Sequence, residues 1–96
     1  MLNLIVFPEI EVEEETITVL GIDDEKKLIL YNDEYNSFDH VIECLIKYCK
    51  HTSEQAEQSA ILTHYKGKCE IKRGTINQLQ DIYFALLDCG LSVKMT

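Results

Sequence analysis

Positive charge is scarce in this sequence: nine Lys and Arg face 17 Asp and Glu, a net charge of −8. That deficit argues against nucleic acid, where affinity comes mainly from cations that neutralise phosphates. It equally disfavours an anionic membrane surface and suits a soluble partner with basic patches. No run approaches the roughly 18 apolar residues that a membrane-spanning helix needs. The apolar start Met1–Pro8 has neither a basic n-region nor an A-x-A-like site, so it makes a poor signal peptide. A cytoplasmic protein is expected. No CxxC pair occurs among Cys44, Cys49, Cys69 and Cys89, and nothing else suggests an oxidising compartment, so reduced, packing thiols are expected. A Gly-rich nucleophile elbow, a phosphate loop and internal repeats are all missing.

What is present is enough apolar material for one core. Apolar residues make up 46% of 96 residues, so the chain should fold, as a single small domain. Residues 1–25 stand apart as an acidic N-terminal extension. Glu9-Ile10-Glu11-Val12-Glu13-Glu14-Glu15 places five Glu in seven positions, a density that repels itself and stays solvated. A short strand over 16–20 (Thr-Ile-Thr-Val-Leu) is the one element expected there, before Gly21 and Asp23-Asp24. The folded body is assigned to residues 26–96.

Within the body, Lys27–Tyr31 reads as a strand. Phe38, Val41, Ile42, Leu45 and Cys49 recur at helical spacing over 38–50, with Asn36 or Ser37 as the cap. Thr52 with Gln55 has the form of a capping box and opens a second helix to about Leu62, where Ala56 and Ala60 form a small-residue face. Lys68–Lys72 alternates as a strand. Thr75 and Gln78 open a third helix with Leu79, Ile82, Tyr83 and Leu86 on one face, and Gly90 ends it. Leu91–Met95 alternates again. The order β-α-α-β-α-β points to an α+β fold, three helices on a small three-stranded antiparallel sheet with a flexible N-terminal extension.

Two polar segments abut this core: Asn32-Asp33-Glu34-Tyr35-Asn36-Ser37-Phe38 after the first strand, and Thr63-His64-Tyr65-Lys66-Gly67-Lys68 closing the second helix. Together they set Asn, carboxylate and His acceptors beside an apolar hollow. An α-amino group is an ammonium with three donors, and such acceptors suit it. Their order resembles the ClpS family of Clp protease adaptors. The resemblance implies an adaptor, not an enzyme, without cofactor or metal. It would bind substrates with bulky hydrophobic N-terminal residues (N-degrons) and deliver them to a Clp AAA+ unfoldase with its peptidase. It implies that Asn32, Asp33, Glu34 and His64 hold the substrate α-amino group, and that Leu30, Phe38, Val41, Leu45 and Thr63 form the hydrophobic pocket. It also implies that the extension assists delivery. Three positions depart from the family pattern: Glu34 stands for a second Asp, Phe38 for a gating Met, and Thr63 for an aliphatic residue.

Blander readings compete. Asn32-Asp33 alone is a common turn, His64 alone a common helix-end residue, and Phe38-Val41-Leu45 an ordinary core stripe. His40 with Cys44, and Cys49 with His51, offer only pairs of metal ligands, too few for a structural zinc site. Cys69, His64 and Asp33 could suggest a hydrolase, but a strand gives a thiolate no stabilisation. The alternative function is a generic protein-interaction domain of the same fold without amine recognition.

Overall fold

The computed structural model describes residues 24–96. The expectations for residues 1–23, among them the strand at 16–20, lie outside the described residues. Strand β1 (Lys26–Tyr31) is followed by helices α1 (Phe38–Cys49) and α2 (Ser53–Lys66), then β2 (Lys68–Gly74), α3 (Ile76–Asp88) and β3 (Val93–Met95). β1 lies in the middle of an antiparallel sheet of order β2-β1-β3. This is the expected α+β order.

Local chemistry explains the boundaries. The Ser37 hydroxyl accepts the His40 N–H at 3.1 Å and starts α1, so Ser37 rather than Asn36 is the cap. Thr52 caps α2 in the same way through Gln55 N–H. Thr75 and Gln78 form a reciprocal capping box on α3. Helix α2 runs one turn beyond the expected end near Leu62. Polar Thr63-His64-Tyr65-Lys66 masks the continuity, yet the Thr63 hydroxyl donates to Ser59 O at 2.8 Å inside the helix. Gly67 then stops it in the left-handed region, φ 91°, which a side chain would resist. β3 is shorter than expected. Leu91 turns into the core, and Ser92 stands just before the strand, its carbonyl accepting the Tyr31 N–H at 2.8 Å and its hydroxyl bonded to Asp33.

Leu28 and Leu30 of β1 point to the helices and join Leu45, Leu79 and Leu86 at 2% exposure or less. Each such side chain contributes about 1.5–3 kcal/mol by leaving water. Ile71 is the extra residue of a β-bulge opposite Leu28/Ile29, and it too is buried. No described helix is long and apolar enough to cross a membrane.

Candidate ligand-binding site

The site begins with a backbone hydrogen bond. Asn32 N–H donates to Gly67 O at 2.9 Å, so the turn leaving β1 lies against the end of α2. That contact brings two segments more than thirty positions apart in sequence onto one rim. Between them opens a cavity of about 320 Å³ lined by Leu30, Val41, Ala60, Thr63 and Leu91 below, and by Asn32, Asp33, Glu34, Asn36, Phe38 and His64 towards solvent. Eight of the nine residues expected at the site line it. Leu45 does not: it is fully buried one helical turn deeper, in the core between helices and sheet.

Asp33 organises the rim. One carboxylate oxygen accepts the Tyr35 N–H at 3.0 Å and the Asn36 N–H at 2.9 Å. The other accepts Asn36 Nδ2 at 2.7 Å and Ser92 Oγ at 2.8 Å. Burial works to raise its pKa, but the hydrogen bonds from Asn36, Ser92 and Tyr35 outweigh it and bring the pKa to about 2. Two oxygens with two lone pairs each are thereby filled. Asn36 Nδ2 also donates to Gly90 O at 2.9 Å, tying the turn to the α3–β3 connection. Gly90 has φ 86°, so the connection turns there without strain.

Rim hydrogen bonds among the described residues thus converge on Asp33 and Asn36, which leaves acceptor capacity on Asn32, Glu34 and His64. His64 is exposed in the last turn of α2, with its ring edge-on to Tyr65 at 5.2 Å. Phe38 sits at the cavity mouth, 45% exposed. Ala60 and Leu91 are wall residues that the sequence did not single out as such. The small side chain of Ala60 is what leaves the room.

A depressed carboxylate stabilises the fold above its unfolded pKa, near 3.8, and that contribution disappears as pH falls through about 2. Wild type is therefore expected to lose about 1–2 kcal/mol more than Asp33→Asn between pH 4.5 and 2. Urea unfolding at a series of pH values measures the difference; parallel pH curves would refute the assignment.

The remaining His and Cys side chains lie away from this rim. His40 Nε2 lies 2.9 Å from Cys89 O and 3.7 Å from Cys44 Sγ. All four cysteines are free. Burial pushes the Cys44 thiol up to about 12, helped by the Cys89 thiol beside it. Among the described residues, no three His, Cys, Asp or Glu side chains converge as a metal site.

The family model described as "ATP-dependent Clp protease adaptor protein ClpS" matches residues 22–88. An ATP-dependent Clp protease adapter protein ClpS from Thermosynechococcus vestitus is 35% identical over 68 residues, covering 70% of this chain and 72% of that protein. A protein of the same name from Nostoc is 30% identical over 87 residues, covering 90% of each. Agrobacterium tumefaciens ClpS2, solved bound to L-phenylalaninamide, superposes with a TM-score of 0.65 at 14% identity, over 78% of this chain and 98% of that one. With the family model matched over more than half its length, and its fold shared with a solved relative, the chain belongs to the ClpS family of ATP-dependent Clp protease adaptor proteins.

Proposed function

We infer that this protein captures substrates by a bulky hydrophobic N-terminal residue, with its free α-amino group, and hands them to a Clp AAA+ unfoldase. As a ClpS-family adaptor it is not itself an enzyme, and adaptors of this family work with Clp proteases. ATP hydrolysis and peptide cleavage belong to that machinery.

One observation carries the reading: an apolar cavity of about 320 Å³ opens directly beneath a rim of acceptors held around an ionised carboxylate. An amino-terminal leucine or aromatic residue presents the complementary pair, an apolar side chain on the same carbon as a charged donor. The ammonium donates to Asn32 Oδ1, the Glu34 carboxylate and a ring nitrogen of His64, while Asp33 adds its charge through the turn it builds. Agrobacterium tumefaciens ClpS2, with the same fold, was solved with an aromatic amino-acid amide, a ligand of that form.

Acetylation removes the ligand's charge and two of its donors, leaving the protein's acceptors unpaired. A peptide beginning with free Phe is therefore expected to bind at least about 100-fold more tightly than its acetylated twin, since sites built on a specific polar group discriminate strongly. Fluorescence anisotropy of labelled decapeptides, with His64→Ala as the weakened control, gives both numbers. Equal affinity for the free and acetylated peptides would leave only a generic interaction domain.

A further inference from the structure

The charges of this chain are unevenly divided. Residues 1–23 contain six carboxylates and no Lys or Arg, so all nine cations belong to the remainder. In the body, several of those cations share one surface. The three helices pack on the Leu28, Leu30 and Val93 side of the sheet, and the opposite side is open among the described residues. Cross-strand pairing places Lys68 beside Tyr31, Lys94 and Glu70 on either side of Ile29, and Arg73 beside Lys27 on that outer side, so four cations there face the one carboxylate of Glu70. Lys27, Lys68 and Lys94 are exposed around the half-buried Ile29 and Tyr31. Lys94 Nζ lies 5.7 Å from the Tyr31 ring. Arg73 is already engaged by Glu70 at 2.8 Å and Glu25 at 3.8 Å. Among the described residues, Lys27, Lys68 and Lys94 have no carboxylate within ion-pair distance.

We propose that the Glu9–Glu15 stretch of this chain docks on the outer face of the sheet, against Lys27, Lys68 and Lys94. The match is one of charge and of pattern. Glu9, Glu11 and Glu13–Glu15 alternate with Ile10 and Val12, and the face offers ammoniums around two apolar side chains. Chain length permits it. Glu15 precedes Asp24 by nine residues, a reach of up to about 30 Å, and the chain re-enters the described fold at the start of β1, on that same sheet. Docking is an intramolecular event, so weak exposed ion pairs act at the high effective concentration a short tether supplies. It is screened by salt, because every charge involved is exposed. The proposal is independent of the amine pocket and stands or falls without it.

Zero-length carbodiimide cross-linking of the full chain, read by mass spectrometry on a mixture of ¹⁵N-labelled and unlabelled protein, tests it. The expected links join Glu9–Glu15 to Lys27, Lys68 and Lys94 within one chain, with a yield at least about five-fold lower in 0.5 M salt than in 25 mM. Backbone amide shifts of Lys27–Tyr31 and Val93–Met95 are expected to differ between wild type and the full chain with Glu9, Glu11, Glu13, Glu14 and Glu15 all replaced by Gln. Links spread evenly to Lys47 on α1, Lys50 at its C-cap and Lys66 on α2 would overturn the proposal. Links between isotopically distinct chains would overturn it too, in favour of a second copy. So would unchanged amide shifts in the Gln variant.

Discussion

Replacing Asp33 by Ala is expected to abolish peptide capture and to destabilise the fold by about 2 kcal/mol. The four hydrogen bonds it accepts come from Tyr35 N–H, Asn36 N–H, Asn36 Nδ2 and Ser92 Oγ. Hydrogen bonds to a charged group contribute about 1.5–3 kcal/mol each when buried. Asp33 is only half-buried, so water replaces much of that and the net loss stays near the lower figure. The effect on binding is larger. Without its carboxylate, the turn that carries Asn32 and Glu34 keeps only the bonds from Asn32 N–H to Gly67 O and from Asn36 Nδ2 to Gly90 O, and the negative charge beside the ammonium is gone. A loss of at least 100-fold in affinity, about 2.7 kcal/mol, follows from the two effects together.

Ser92→Ala separates them. It removes one of four bonds and leaves the charge, so a three- to ten-fold loss is expected, about 0.7–1.4 kcal/mol. Anisotropy titrations and urea unfolding on the same preparations give both quantities. If Ser92→Ala bound as wild type while Asp33→Ala did not, Asp33 would touch the ligand rather than position the turn.

That network marks where the sequence stopped being legible. The helices were readable because their signals are local: Ser37, Thr52 and Thr75 each cap the N–H three residues on. The strands were readable from alternation around Leu28 and Leu30. The distant partners of the turn were not, because Ser92 reaches Asp33 from 59 positions away and Gly90 reaches Asn36 from 54, between two loops with no periodicity. Asn36 was visible only as a possible cap. The end of α2 was missed because Thr63 reads as polar, although its hydroxyl is satisfied by its own helix. Leu45 was grouped with Phe38 and Val41 by the family resemblance, and the helical stripe that all three share could not separate them. The stripe descends: Phe38 is 45% exposed at the mouth, and Leu45 is at 0%. Periodicity identifies a face, not the depth along it.

Depth decides the second large effect. Ala60 is 4% exposed and forms part of the cavity wall, with Leu30 and Leu91 also lining it. Ala60→Leu adds three carbons pointing into a space of about 320 Å³. Where a cavity faces solvent, the new side chain fills it without the strain of overpacking a closed core, so the fold should change in stability by less than about 1 kcal/mol. The ligand side chain loses that space. Burying a Phe or Leu side chain contributes about 1.5–3 kcal/mol, so a peptide whose residue no longer fits should bind roughly 10- to 100-fold more weakly. The loss should grow with size, least for an N-terminal Leu and greatest for Trp, which turns one substitution into a measure of pocket depth. Titration of Leu-, Phe-, Tyr- and Trp-initiated peptides against both proteins reads that order directly. Uniform losses across the four would mean that the side chain does not enter beside Ala60, and that the apolar wall serves the fold alone.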